Sequence, residues 1–181
     1  MTLYHEVLDS PIDPLLAIVS PDGLVALEFA GSERRLASAR KRWTARLPSA
    51  VFEEAPHRGG PLAPVRDWFR AYWAGSELPT LPYRLYGTEF QVAVWEALFS
   101  VPAGSTSTYG TLARQIGHPD AARAVGAAVG QNPIAIVAPC HRIVGADGSL
   151  TGFGGGLPRK KWLLAHEAAH YRTGELALWH A

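Results

Sequence analysis

Ile134-Ala135-Ile136-Val137-Ala138-Pro139-Cys140-His141-Arg142-Ile143-Val144 holds the only cysteine of the chain, set between an apolar run and two basic side chains. A lone thiol closes no intramolecular disulfide and supplies at most one ligand to a thiolate-rich metal site. Cys140 is therefore either a small buried group or a reactive sulfur. Composition alone favours the first, because unpaired cysteines are among the most buried residue types. The flanking residues turn the reading toward the second. After Asn132-Pro133, the run Ile134 to Ala138 predicts a buried strand that delivers Cys140 through a proline-restricted approach.

Downstream, residues 145 to 156 are rich in glycine and include Asp147-Gly148, as expected of a conformationally specialised loop. A last helix is predicted from Pro158 to about Ala169, with Trp162, Leu163 and Leu164 available for packing. Arg159, Lys160 and Lys161 lie at its positive end and Glu167 near its negative end. That arrangement opposes the macrodipole preference and points to a function for both ends.

Upstream, Thr88 can cap a helix with Gln91 as capping-box partner, and Phe90, Val94, Ala97, Leu98 and Val101 repeat at helical spacing until Pro102 and Gly104. A second helix is predicted from Thr108 to Ile116 with Gly117 at its C-terminal cap, and a third from Pro119-Asp120 through Val129. Two short helices joined by about three residues suggest helix-turn-helix geometry. In the third, Ala122, Ala124 and Ala127 present almost no bulk while Arg123 is a long cationic arm. Such a face either admits another backbone closely or packs against a neighbouring helix.

The first third reads as strands Leu3 to Val7, Leu15 to Val19 and Leu24 to Phe29, separated by proline, aspartate and glycine turns. A helix follows from Ser32 to about Arg46, and another over Val65 to Trp73 ends at Gly75. The proline- and glycine-rich stretch Pro48 to Pro64 reads as a connection, and Pro79 to Gly87 as a junction. No catalytic constellation is visible before that junction. The expected organisation is one domain over 1–84, a second over 85–170 that carries Cys140, and a tail over 171–181.

With 181 residues, 48% of them hydrophobic, and six tryptophans, the chain can fill a real core. No apolar stretch approaches a membrane span and no export signal precedes Pro11, so a soluble, reducing, cytoplasmic setting is expected. The net charge is +1. Residues 1–88 hold ten Lys or Arg against ten Asp or Glu, whereas residues 114–161 hold six basic side chains against Asp120 and Asp147. The second region is modestly basic for a nucleic-acid binder.

The stretch Ile136 to Val144 resembles the signature of the DNA-[protein-cysteine] methyltransferases that repair O6-alkylguanine. Ser107-Thr108-Tyr109-Gly110, Ala122-Arg123-Ala124-Val125-Gly126, Asn132-Pro133, Gly155-Gly156-Leu157 and Leu163-Leu164-Ala165-His166-Glu167 match the same family in order and spacing. The resemblance implies an α/β, ribonuclease-H-like N-terminal domain, a small antiparallel sheet with helices. A mainly helical, winged helix-turn-helix-like DNA-binding domain would follow it. It implies single-use transfer of the alkyl group from O6-methylguanine, and also O4-methylthymine, to Cys140, with no cofactor. Members that bind zinc use N-terminal cysteines, which this chain lacks, so no metal is expected.

By the same resemblance, His141 acts as base on Cys140 through a bound water, because adjacent side chains of an extended backbone point to different faces. Glu167 orients the imidazole, Asn132 steadies the turn, and Tyr109 donates toward N3 of the departing guanine. Arg123 enters the duplex in place of the flipped base. Ala122, Ala124, Ala127, Thr108, Tyr109 and Arg142 join it in contacting DNA through the minor groove. Val144, Gly145, Phe153, Gly154 and Lys160 line the pocket. Phe153-Gly154 stands where the family often has tyrosine then serine or arginine, so this wall lacks a phenolic donor. The partner implied is double-stranded DNA bound by a monomer. The competing readings are an alkyltransferase-like protein that flips the lesion without repairing it, which retention of Cys140 opposes, and a cysteine hydrolase, which leaves Arg123 without a purpose.

Overall fold

In the computed structural model, which describes residues 1–56 and 59–171, the run Leu15-Leu16-Ala17-Ile18-Val19 lies in β2 (Leu15–Ser20), buried at every position. A continuous apolar run suits a strand covered on both faces. On either side of β2, β1 (Thr2–Leu8) and β3 (Gly23–Phe29) pair with it antiparallel. These three are the strands expected from the sequence. A fourth, β4 (Val51–Glu54), lies inside the expected connection and pairs parallel with β1, so the sheet is mixed, in the order β3-β2-β1-β4. None of its side chains is fully buried, and so no apolar alternation marked it.

Helix α1 (Glu33–Arg46) starts at Ser32, whose hydroxyl accepts from Arg35 N, and buries only Ala39 and Trp43. The Trp43 indole donates to Glu28 of β3 at 2.7 Å. Helix α2 (Ala63–Ala74) buries Val65, Trp68, Phe69 and Tyr72 at helical spacing, with the Trp68 and Tyr72 rings stacked. The junction is structured, because Leu24 N donates to Pro82 O and Arg84 N to Leu24 O, each at 2.8 Å. That approach requires Gly23, where an added Cβ would lie 2.3 Å from the Pro82 carbonyl oxygen and φ is +122°. These elements form one compact unit, Met1–Leu85, and the second begins at Tyr86.

The second unit opens with α3 (Glu89–Leu98), capped reciprocally by Thr88 and Gln91 as predicted. Next, β5 (Ser107–Thr108) leads into α4 (Tyr109–Gln115), which ends in a Schellman motif: Gly117 N donates to Arg114 O and His118 N to Ala113 O. Gly117 takes φ +78° there. Because the motif uses residues 116 to 118, the connection is longer than three residues, and α5 (Ala122–Val129) starts after Pro119-Asp120 rather than on it. Helices α3, α4 and α5 pack on one another, and the buried Trp95 indole donates to Ala128 O at 2.8 Å. Short β6 (Ile143–Val144) pairs parallel with β5, and α6 (Leu157–His170) follows the glycine-rich loop. The expected tail, apart from Tyr171, lies outside the described residues.

Candidate active site

The run Ile134 to Ala138 is a turn, not the predicted strand. Ala138 N donates back to Ile134 O at 2.9 Å, and Ile136 adopts φ +72° although it is β-branched and buried. Such a residue persists at positive φ only when its surroundings over-determine it. Asn132 supplies that restraint. Its Oδ1 accepts from Ile134 N at 3.1 Å and its Nδ2 donates to Ala138 O at 2.7 Å, clipping both ends of the turn. A short apolar run reads alike as a buried strand or a buried turn, and the amide that decides between them sits outside it.

Cys140 is buried and begins a 3-10 turn, Cys140–Arg142, so Cys140 and His141 are not successive residues of an extended backbone as expected. Burial pushes the Cys140 thiol up from its ordinary value. A hydrogen bond with Asn132, the charge of Lys160 and the backbone N–H groups of Cys140 and His141 oppose that rise. The resting group is a thiol, and a nucleophilic thiolate requires a base.

His141 is wholly buried, with Nε2 2.7 Å from Glu167 Oε1. Burial lowers its pKa below 6.5, against the opposing charge of Glu167, so the ring is neutral at neutral pH. A carboxylate only accepts, hence Nε2 carries the proton and Nδ1 keeps its lone pair. Nδ1 is buried with no hydrogen-bond partner among the described residues. Glu167 Oε2 also accepts from Gly104 N at 3.2 Å and Arg142 Nε at 2.9 Å, and Oε1 from Arg142 Nη2 at 2.8 Å. Although its own burial acts upward, His141 and Arg142 hold the Glu167 carboxyl far below the usual carboxylate range. Its unusual position near the end of α6 is explained by these partners.

Arg142 corrects the sequence reading. Expected among the DNA contacts, it is buried and committed to Glu167 and, through Nη1 at 2.6 Å, to Val101 O. A guanidinium held this way cannot reach a phosphate; it fixes the carboxylate that fixes the imidazole. Sequence reasoning missed that role, although an arginine embedded in the apolar signature was a sign of burial beside a carboxylate.

Lys160 is also wholly buried, and its Nζ donates to Ile143 O at 2.5 Å and Thr151 O at 2.6 Å. It thus joins the segment just after Cys140 to the glycine-rich loop that bears Phe153 and Gly154. Burial lowers its pKa and the Cys140 sulfur raises it, placing the ammonium in electrostatic reach of the sulfur. Val144 is buried, Gly145 and Phe153 are half-buried, and Gly154 is exposed. The Tyr109 hydroxyl lies 3.0 Å from Thr151 O and 3.2 Å from Gly152 O. Burial raises its pKa, and Cys140 raises it further. On α5, Arg123, Ala124 and Ala127 are exposed, Ala122 is half-buried, and Val125, Ala128 and Val129 face the core. Thr108 is half-buried and caps α4 through a bond from Thr111 N.

The fold thus brings Cys140, His141, Glu167, Asn132, Lys160 and Tyr109 into one neighbourhood and sets Arg123 apart on an exposed small-residue face. Residues 89–169 match the family model described as 6-O-methylguanine DNA methyltransferase, DNA binding domain. Over 175 residues the chain is 41% identical to the methylated-DNA–protein-cysteine methyltransferase of Shigella flexneri, covering 92% of this chain and 96% of that protein. The crystal structure of Mycobacterium tuberculosis O6-methylguanine methyltransferase is similar at a TM-score of 0.77 and 38% identity, covering 94% and 96% of the two chains. That of Mycobacterium tuberculosis OGT in complex with DNA gives 0.74 and 36%, covering 96% of each. With its two units, its DNA-binding region and one buried cysteine all inside that likeness, the chain belongs to the methylated-DNA–protein-cysteine methyltransferases.

Proposed function

We propose that Cys140 is the acceptor in the reaction this family performs, the transfer of an alkyl group from O6-alkylguanine in DNA to a protein cysteine. The observation that carries the assignment is the fixed tautomer of His141. With Nε2–H held by Glu167, the Nδ1 lone pair of the residue that follows Cys140 is the base, and burial keeps the Cys140 thiol protonated until that base acts. The Cys140 proton passes to Nδ1 through a bridging water, and sulfur attacks the alkyl carbon as the carbon–O6 bond breaks. The electron pair stays on the guanine. Tyr109 turns from the Thr151 and Gly152 carbonyls toward N3 of the departing base and donates its hydroxyl hydrogen. The same displacement serves O4-methylthymine.

The second unit carries both the chemistry and the base-flipping contact. A stacked base must leave the duplex to meet a buried sulfur. Arg123 fills the vacancy while Ala122, Ala124 and Ala127 let α5 approach the minor groove, with Thr108 and Tyr109 at the start of α4. Val144, Gly145, Phe153, Gly154 and Lys160 bound the alkyl pocket. The product is a thioether, and with no second thiol in the chain each molecule acts once. One chain supplies every residue named, which supports action as a monomer. Among the described residues no helix is long and apolar enough to cross a membrane, in keeping with a cytoplasmic repair protein.

Incubation with O6-methylguanine duplex DNA should add the mass of one CH2, located on Cys140 by peptide mass spectrometry. Cys140→Ser should abolish the gain while keeping DNA binding. A gain on any other residue would overturn the assignment.

A further inference from the structure

The charge balance of the first unit conceals a strong asymmetry. Its ten basic and ten acidic side chains cancel, yet Arg34, Arg35, Arg40, Lys41, Arg42 and Arg46 all lie on α1, against Glu33 alone. The helix carries +5 (six minus one), and the remainder of residues 1–85 carries −5 (four minus nine). Arg34, Arg35, Arg40 and Lys41 are exposed, and none makes an ion pair or side-chain hydrogen bond among the described residues. Among the described residues Arg42 pairs with Glu28, and the Arg46 guanidinium lies over the Trp43 ring at 5.6 Å.

Folding alone does not favour this arrangement. Arg34 and Arg35 occupy the first turn, where the macrodipole favours acids, and Arg42 and Arg46 place like charges one turn apart. Burial does not compensate, since α1 covers only Ala39 and Trp43. The exposed face alternates long cations with the short side chains of Ala37, Ser38 and Ala45. Arg34 and Lys41 are seven residues apart, roughly 10 Å along the helix at 1.5 Å per residue. That span equals about three base-pair rises along the duplex axis.

We propose that α1 is a second DNA-binding face, which holds duplex phosphates outside the base-flipping contact without reading sequence. It rests on the reading above only in taking DNA as the substrate; the second unit reads and repairs the lesion, and α1 lengthens residence on undamaged duplex. This explains how a chain of net charge +1 with a modestly basic second unit scans DNA: the cations are gathered on faces rather than spread.

The test compares two pairs of substitutions that remove equal charge, Arg34→Gln with Lys41→Gln on α1 and Arg70→Gln with Arg84→Gln elsewhere in the first unit. Binding to lesion-free duplex DNA is measured across a salt series. Loss of two phosphate contacts on α1 should lower the slope of log affinity against log salt by about 1.8 and weaken binding about tenfold or more at low salt. The control pair should leave the slope within about 0.5 of the parent. An unchanged slope in the α1 pair overturns the proposal, as does an equal loss in both pairs. A slope that holds while the α1 pair loses self-association in DNA-free sedimentation overturns it too, since α1 then meets the acidic remainder of a second copy. Transfer from free O6-methylguanine base should be unchanged in every variant; absence of transfer in the parent would refute the Cys140 assignment and leave the salt series interpretable.

Discussion

Two glutamates in this chain hold the same kind of partners in opposite surroundings. Glu28 on β3 accepts from the indole of Trp43 and pairs with Arg42, fastening α1 to the sheet. Glu167 on α6 accepts from the imidazole of His141 and from Arg142, adjacent residues like the first pair. The first group meets solvent: the Arg42 side chain is 53% exposed and that of Glu28 19%. The second is sealed, with His141 and Glu167 at 0%. One cluster attaches a helix; the other fixes the protonation of a ring that has a second nitrogen. The difference lies in burial, because only where water is excluded does a carboxylate hold one tautomer against exchange of partners.

The largest effect should come from Glu167→Gln. It leaves the Arg142 guanidinium buried without a counter-charge, a loss of about 3–5 kcal/mol in folding stability. It also frees the His141 tautomer, so alkyl transfer should slow by roughly 100-fold or more. Urea unfolding and single-turnover transfer would measure the two separately. If stability fell and transfer did not, His141 would not be the base.

Acid should act on the same cluster with a smaller effect. Burial holds His141 below its ordinary 6.5, and the hydrogen bond from His141 together with the Arg142 guanidinium holds Glu167 below 4.5. Below pH 6.5 the unfolded chain binds a proton at His141 that the folded chain refuses, and below 4.5 a second at Glu167. Since the unfolded state binds more protons in both windows, stability must fall as pH falls. The decline should begin near 6.5 and steepen below 4.5, and Glu167→Gln should remove the steeper part. Urea titrations from pH 7 to 4 would detect it.

The contrast between the clusters also separates what the sequence could reveal from what it could not. Patterns that repeat or cap were legible: the β2 run, the Thr88–Gln91 box and the Gly117 stop each carry a local physical cause. Candidates for the site came from the signature around Cys140, which marks Cys140 and His141, and from separate stretches that mark Asn132, Tyr109 and Glu167. Strand β4 was not, because an edge strand with no buried side chain has no period to read. The turn before Cys140 was missed because Asn132 sets it from outside the apolar run. Arg142 was assigned to the wrong partner because its carboxylate lies 25 residues away. The cations of α1 were averaged away in a balance taken over 88 residues.

The smallest effect should come from Glu28→Gln, the counterpart of the largest. The glutamine oxygen can still accept from Trp43 Nε1, so the bond that orients the buried indole survives. What is lost is attraction to Arg42, whose guanidinium is already hydrated and screened, worth less than about 1 kcal/mol. Arg42 then turns to solvent at little cost, whereas Arg142 has no solvent to turn to. Transfer to Cys140 should be unchanged, since Glu28 belongs to the other unit and touches none of the reacting groups. The same urea and transfer assays apply. A loss near that of Glu167→Gln would mean that the charge on the carboxylate, not its burial, decides how strongly each cluster is held.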